Sequence, residues 1–249
     1  MKFSIITVSY NDGALLERSI ESVMSQRLDA DDSIEHIIVL GGEAEVEKTK
    51  CEHADASCRY TRKILKSEPR GCYNAINIGI ANASGDIIGL VDGSNYLTGP
   101  CFLASISEMF SNKALDYAYG DVVYMHEGRK VRRYSSEAFS SDKLMLGFAP
   151  PHPSLFITSK ALGEVGFYRE KYAGAADFDF FVRLMHKHSH LCGERYDGCG
   201  VAMSAGGQSM DVKAVLWQNT LSKYRILKEN GFDPFLPKLM LRYLYNCRK

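Results

Sequence analysis

Net charge is what this chain of 249 residues lacks most: 30 Lys and Arg balance 30 Asp and Glu. A nucleic-acid binder needs a basic face, so no nucleic-acid partner is expected. Long apolar runs are missing too; the longest are strand-sized, against the roughly 20 residues that span a bilayer. No leader pattern opens the chain. Met1-Lys2 passes directly into a β-branched run that stops at Ser9-Tyr10-Asn11-Asp12 and reads as a first strand. The seven cysteines (Cys51, Cys58, Cys72, Cys101, Cys192, Cys199 and Cys247) include no Cys-x-x-Cys pair, which argues against a zinc site. An odd number of thiols without a leader fits free cysteines in a reducing cytoplasm. There is no Gly-rich phosphate loop with a basic signature near the first strand, which sets a nucleotidyltransferase aside.

What is present is a repeated strand–helix pattern. Residues 3–9 form a β-branched strand, Asn11-Asp12-Gly13 supply turn and cap, and a helix runs to about residue 26 with Leu16, Ile20, Val23 and Met24 inward. Strands at 35–40, 60–66 and 87–91 alternate with helices at 43–54 and 71–83. Such alternation gives an α/β fold, a parallel sheet covered by helices, with polar residues at the strand C-termini lining the ligand crevice. Tyr10-Asn11, Gly41-Gly42 and Asp92-Gly93-Ser94-Asn95 sit at those ends. The second half reads differently. A helix at 100–110 precedes a hairpin of strands 117–125 and 130–134, then a stiff Pro150-Pro151-His152-Pro153 loop, a strand at 154–157 and a helix from 159. A well-patterned helix at 177–188 follows, and helices near 211–230 and 234–245 close the chain. With no repeat, linker or low-complexity tract, the chain reads as one domain.

Several segments together carry a resemblance. They are residues 3–26 (FSIITVSYNDGALLERSIESVMSQ), residues 67–90 (SEPRGCYNAINIGIANASGDIIGL), Tyr119-Gly120-Asp121, His152-Pro153-Ser154, residues 176–184 (ADFDFFVRL) and Gly206-Gly207-Gln208-Ser209. In order and spacing the chain closely resembles, from residue 3 to about 209, the family 2 glycosyltransferases of the GT-A fold. The resemblance implies a Rossmann-like GT-A domain over 1–249: a nucleotide-sugar-binding half (1–98), an acceptor and catalytic half (99–210) and C-terminal helices (211–249). It implies transfer of a sugar from a nucleotide-diphosphate donor, a UDP-sugar first among the candidates, to an acceptor hydroxyl. The transfer would be inverting and would serve surface polysaccharide or glycoconjugate biosynthesis, with a glycan or lipid-linked acceptor. Asp177 matches the family's catalytic base, and Tyr10 an aromatic near the nucleobase. Asp92 matches the first acid of the element that binds a divalent cation, Mg²⁺ or Mn²⁺.

Two positions depart from that pattern. Leu40 stands where the family has an acid that helps read the base, and leucine accepts no hydrogen bond. Ser94 and Asn95 stand where later metal-binding acids are expected. Hard cations prefer carboxylates, yet Mg²⁺ often uses only one or two together with substrate phosphates. The departures leave an alternative, a catalytically impaired relative that binds or scaffolds in the same pathway. Arg70, just before Gly71 at a helix start, is either a diphosphate contact beside the helix N-terminus or an ordinary loop arginine. Asp179 cannot share the face of Asp177 and reads as structural. His152 reads as structural as well, although its stiff loop suits a contact with acceptor or diphosphate. His186 and His190 are four apart, but no nearby carboxylate completes a metal site, so they read as a solvated helix end. Residues 235–245, with Lys238 and Arg242, read as a helix packed on the core by its apolar side. The alternative there is an amphipathic helix on the anionic inner face of a membrane, making a cytoplasmic protein peripheral.

Overall fold

The computed structural model describes residues 1–10, 13–29, 31–42, 59–137, 139–204 and 212–240. The expected helix at 43–54, the Asn11 cap, the late Gly-Gly-x-Ser element, three of the cysteines and residues 241–249 lie outside these. In chain order the elements are β1 (Lys2–Tyr10), α1 (Ala14–Met24), β2 (Ser33–Gly41), β3 (Tyr60–Ser67), α2 (Cys72–Ala81), β4 (Ile87–Leu90) and β5 (Asn95–Leu97). Then come α3 (Phe102–Asn112), β6 (Tyr117–His126), β7 (Arg129–Tyr134), β8 (Phe156–Thr158), α4 (Ser159–Val165), α5 (Ala176–Val182), β9 (Gly193–Ser204) and α6 (Val212–Glu229).

One sheet runs in the order β3-β2-β1-β4-β8-β6-β9-β5, with β7 paired to β6. The strands β3, β2, β1 and β4 are mutually parallel. Beyond β4 the sheet turns antiparallel through β8, although β6 and β9 pair in parallel. This is the α/β architecture of the GT-A fold that the sequence led us to expect. Two strands went unread. β5 is three residues inside a turn-rich stretch, and β9 holds three glycines and an Asp, a composition that signals loop. Here tertiary pairing overrides local propensity.

The periodicity of β1 explains why the layers form. Ile6 and Val8 point into the larger core with α2, α4, α5 and α6, while Phe3 and Ile5 point into the second core with α3. The strand is buried on both faces from Phe3 to Ser9, and its polar members Ser4 and Thr7 are hydrogen-bonded to Glu35 and His36 of β2. Helix α2 lies tight against it: a Cβ at Gly79 would sit 2.4 Å from Ile6 Cγ2, so only glycine permits that approach. The inward face of α1 is Leu16, Ser19, Ile20 and Val23. The expected Met24 is exposed, and Ser19 takes the inward place because its Oγ–H donates to the Asp92 carbonyl at 3.3 Å.

Candidate functional site

The strand order reverses at β1: the chain builds β2 and β3 on one side, then returns to lay β4 on the other. In such sheets the crevice beyond the strand C-termini at that point is the ligand site. A cavity of about 520 Å³ opens there. Its walls are the ends of β1 (Val8, Ser9, Tyr10), β2 (Gly41) and β3 (Ser67), the loop Glu68-Pro69, the first turns of α2, the Asp92-Gly93-Ser94 turn after β4, and His152. Among these lining residues there is no Lys or Arg; the acids are Glu68 and Asp92. The first turn of α2 aims its backbone N–H groups at the cavity, a setting that favours anions.

Tyr10 stands at the rim, 62% exposed. Its ring lies over Gly41, where a Cβ would come within 3.0 Å of the ring edge, so the glycine makes room for the aromatic. Leu40 does not reach the cavity. It is buried with Leu16, Ile20 and Ile38 beneath α1. An acid at this register would meet that apolar cluster, so any polar contact to a base must come from other groups, with Ser67 on the neighbouring strand in place to supply one. Arg70 lies off the lining: its guanidinium pairs with Glu68 at 2.9 Å and is 68% exposed.

Behind Asp92 the neutral residues divide their tasks. Asn95 is buried and its Nδ2 donates to Asp92 Oδ2 at 3.3 Å, so its amide orients the carboxylate. Ser94 lines the cavity. The donor set thus fits a hard cation that takes Asp92 from the protein and most remaining oxygens from a phosphorylated ligand and water.

Asp177 opens α5 half-buried, its Oδ1 accepting the Phe178 N–H at 2.8 Å. Asp177 is not among the residues that line the cavity; its backbone hydrogen-bonds the hydroxyl of Tyr73, which does line it. Burial pushes the Cys72 thiol up, and the charges of both Asp92 and Asp177 push it the same way. The hydroxyls of Tyr73 and Tyr168 are raised far above the ordinary phenol range, first by burial and next by the Asp177 carboxylate. Asp92 and Asp177 therefore act on one patch at the start of α2, and Cys72 there remains a neutral thiol. Asp179, two residues on, is fully buried: Arg183 Nε donates to it at 2.9 Å, with Arg169 at 3.4 Å and Asn230 at 3.1 Å. It anchors α5 and so sets where Asp177 stands.

An aromatic cluster joins the first turn of α2 to α5. Tyr73 and Tyr168 stack with centroids 5.6 Å apart, Tyr168 stacks on Phe180 at 4.5 Å, and His152 Nε2 lies 2.8 Å from Tyr168 Oη. Asn77 in α2 bonds both the carbonyl (2.9 Å) and the N–H (3.0 Å) of Tyr168, tying α5's approach to α2. Of these residues Tyr73 and Asn77 lie in the segment 67–90 that carries the resemblance, and His152 stands between two prolines. Tyr168 lies in the unpatterned stretch before α5. The Tyr-Gly-Asp and His-Pro-Ser elements meet as well, the Gly120 N–H donating to Ser154 Oγ at 3.2 Å.

Comparison with known proteins gives the family and the fold. The model of glycosyl transferase family 2 matches residues 4–170. This chain belongs to that family. It is 30% identical over 186 residues to an uncharacterized glycosyltransferase of Mycobacterium tuberculosis, covering 72% of this chain and 67% of the relative. It is 25% identical over 206 residues to a PGL/p-HBAD biosynthesis glycosyltransferase of Mycobacterium bovis, covering 80% and 77%. Among solved structures it superimposes on residues 1–349 of S. aureus TarS in complex with UDP-GlcNAc (TM-score 0.66, 15% identity, 92% of this chain and 71% of that one). The mannosyltransferase PcManGT of Pyrobaculum calidifontis, in complex with GDP-Man and Mn²⁺, gives a TM-score of 0.60 at 15% identity, covering 96% and 68%. Against a longer TarS chain this protein spans 42% of the length. These likenesses confirm the fold.

Proposed function

We propose that this glycosyltransferase moves a sugar from a nucleotide-diphosphate donor to an acceptor hydroxyl with inversion, Asp177 serving as the base. The observation that supports the proposal is Asp92 in the lining of the cavity at the switch point, with Asp177 bonded through its backbone to Tyr73 of the α2 turn that lines the same cavity. The donor's diphosphate would lie over the first turn of α2, whose N–H groups stabilise negative charge. A divalent cation, Mg²⁺ or Mn²⁺, would be held by Asp92 with Ser94 beside it; when bound it offsets charge on the leaving diphosphate. The need for it follows from a lining with two acids and no basic side chain.

Asp177 would take the acceptor O–H proton as that oxygen bonds to the anomeric carbon. The bond from that carbon to the diphosphate oxygen breaks on the opposite face, and its electron pair leaves with the nucleotide. One displacement inverts the centre. Tyr10, over Gly41, offers a stacking face for the base. UDP and UDP-GlcNAc bound by the TarS structures make a UDP-sugar the first donor to test, with GDP-mannose, bound by PcManGT, second. The relative named a PGL/p-HBAD biosynthesis glycosyltransferase makes a glycoconjugate the first acceptor class to test. Among the described residues no helix is long and apolar enough to cross a membrane. Near the end of the described chain Phe235 is 62% exposed and Leu239 is buried, so residues 236–240 pack by one side, and the membrane-contact alternative rests on the segment beyond them.

The test is donor turnover by Asp177→Asn. We expect a fall of about 10²–10⁴-fold, typical of a lost general base, with UDP affinity kept. Turnover equal to the unaltered protein's would refute the assignment.

A further inference from the structure

Helical spacing pairs His186 with His190, and no carboxylate lies near them in sequence. The fold changes both statements. After α5 the chain makes a π-turn over Arg183–Lys187, ending at His188, whose N–H bonds the Arg183 carbonyl at 3.0 Å. The wider turn shifts the helical phase, and such turns recur at functional sites. His186 swings to the Ser141 carbonyl (3.1 Å) and the Phe232 ring (4.9 Å between centroids). His188 and His190 stay together with ring centroids 6.0 Å apart. The carboxylate comes from α4: Glu164 Oε2 lies 2.9 Å from His190 Nε2. One ligand atom from each of Glu164, His188 and His190 falls within 4.8 Å of the others.

We propose that Glu164, His188 and His190 form a binding site for a divalent cation of the zinc class. Two imidazoles and one carboxylate suit borderline ions such as Zn²⁺ or Co²⁺ and not the hard Mg²⁺ or Mn²⁺. Bonds of roughly 2.0–2.2 Å in a tetrahedron put ligand atoms about 3.4 Å apart. Small rotamer changes of these side chains, two of them exposed, close the observed gaps. Three protein ligands leave a position for water. The site is remote from the cavity. Thr158, which caps α4, pairs with Ile87 at the start of β4, whereas Asp92 follows the end of that strand. From His190 the chain runs within two residues to Cys192, whose carbonyl accepts from the Asp116 N–H just before β6. A cation there ties α4 to the entry of β9, independently of any donor-site metal.

Calorimetric titration of the metal-free protein with Zn²⁺ tests this, together with the absorption spectrum of the Co²⁺ adduct. We expect one Zn²⁺ per chain, weakened about tenfold or more by His188→Ala, by His190→Ala and by the isosteric Glu164→Gln. His186→Ala and Asp92→Asn should leave it unchanged, and Co²⁺ should show d–d bands without a thiolate charge-transfer band. No Zn²⁺ uptake at about 100 μM, uptake retained when both histidines are replaced, or a thiolate band pointing to cysteines such as Cys192 would overturn the proposal.

Discussion

The acids of the cavity and the acids of the framework are treated in opposite ways. Asp121 and Asp179 are fully buried, and each is met by two arginines: Arg133 (2.8 Å) and Arg195 (3.3 Å) for the first, Arg183 and Arg169 for the second. Burial alone would raise the Asp121 carboxyl, but Ser136, Arg133 and Arg195 outweigh it and hold the group below its usual range. At the cavity, by contrast, Asp92 receives the neutral amide of Asn95 and the lining has no basic side chain, while Asp177, just outside the lining, receives a backbone N–H. A charge neutralised inside the protein holds elements together. Asp92 instead stands beside an anion-favouring helix end with no guanidinium among the lining residues, the setting on which the proposed donor site rests.

Substitutions can break this contrast. Asp177→Asn should give the largest effect, a loss of about 10²–10⁴-fold in turnover, while its midpoint of urea unfolding stays near the starting value. Asp179→Asn and Asp121→Asn should do the reverse. Asp179→Asn leaves the buried Arg183 without its anion and should cost about 3–5 kcal/mol of stability by urea unfolding; Asp121→Asn, whose Arg133 is exposed and Arg195 half-buried, should cost less. A stability loss at Asp177 as large as at Asp179 would erase the distinction.

A third region sharpens it through pH. His36 is fully buried between Thr7 Oγ1 and Tyr60 Oη, each 2.8 Å away. Desolvation, and to a lesser degree the charge of Arg62, lower its pKa from 6.5 to about 3. The folded value lies below the unfolded one, so the stability it contributes is complete above about pH 6.5 and is lost as pH falls toward 3. Unfolding free energy should fall by about 1.4 kcal/mol per pH unit across that window, and His36→Gln should flatten the slope between pH 6 and 4.5. The smallest effect is expected at Arg70→Ala, where an exposed pair contributes about 0–1 kcal/mol. Nucleotide affinity should be unchanged, since the guanidinium is held by Glu68 and Arg70 is not among the lining residues.

Much of this was legible in the sequence, and the reasons are physical. β1, β2 and β4 carry β-branched and apolar runs, and the turns after them are polar, so Tyr10 and Asp92 could be placed at strand ends from pattern alone. Asp177 was found through resemblance, because a helix-start acid has no distinctive local signal. What stayed hidden depends on contacts far apart in the chain. Tyr73, Tyr168 and His152 meet only after α2 and the approach to α5 dock. Leu40 seemed a change within the pocket until its side chain was seen beneath α1. Glu164 joins His190 across 26 residues, and a π-turn decides which histidine it meets.

The central claim is that Asp92 and the α2 N-terminus receive a nucleotide diphosphate together with a cation. The most direct measurement is calorimetric titration with UDP, GDP, dTDP and CMP, with and without Mn²⁺, on the unaltered protein and on Asp92→Asn. The account requires one nucleoside diphosphate to bind more tightly with Mn²⁺, and that gain to fall by about tenfold or more in Asp92→Asn. Binding indifferent to Mn²⁺ and to Asp92, or no binding of any of the four at millimolar concentration, would contradict it.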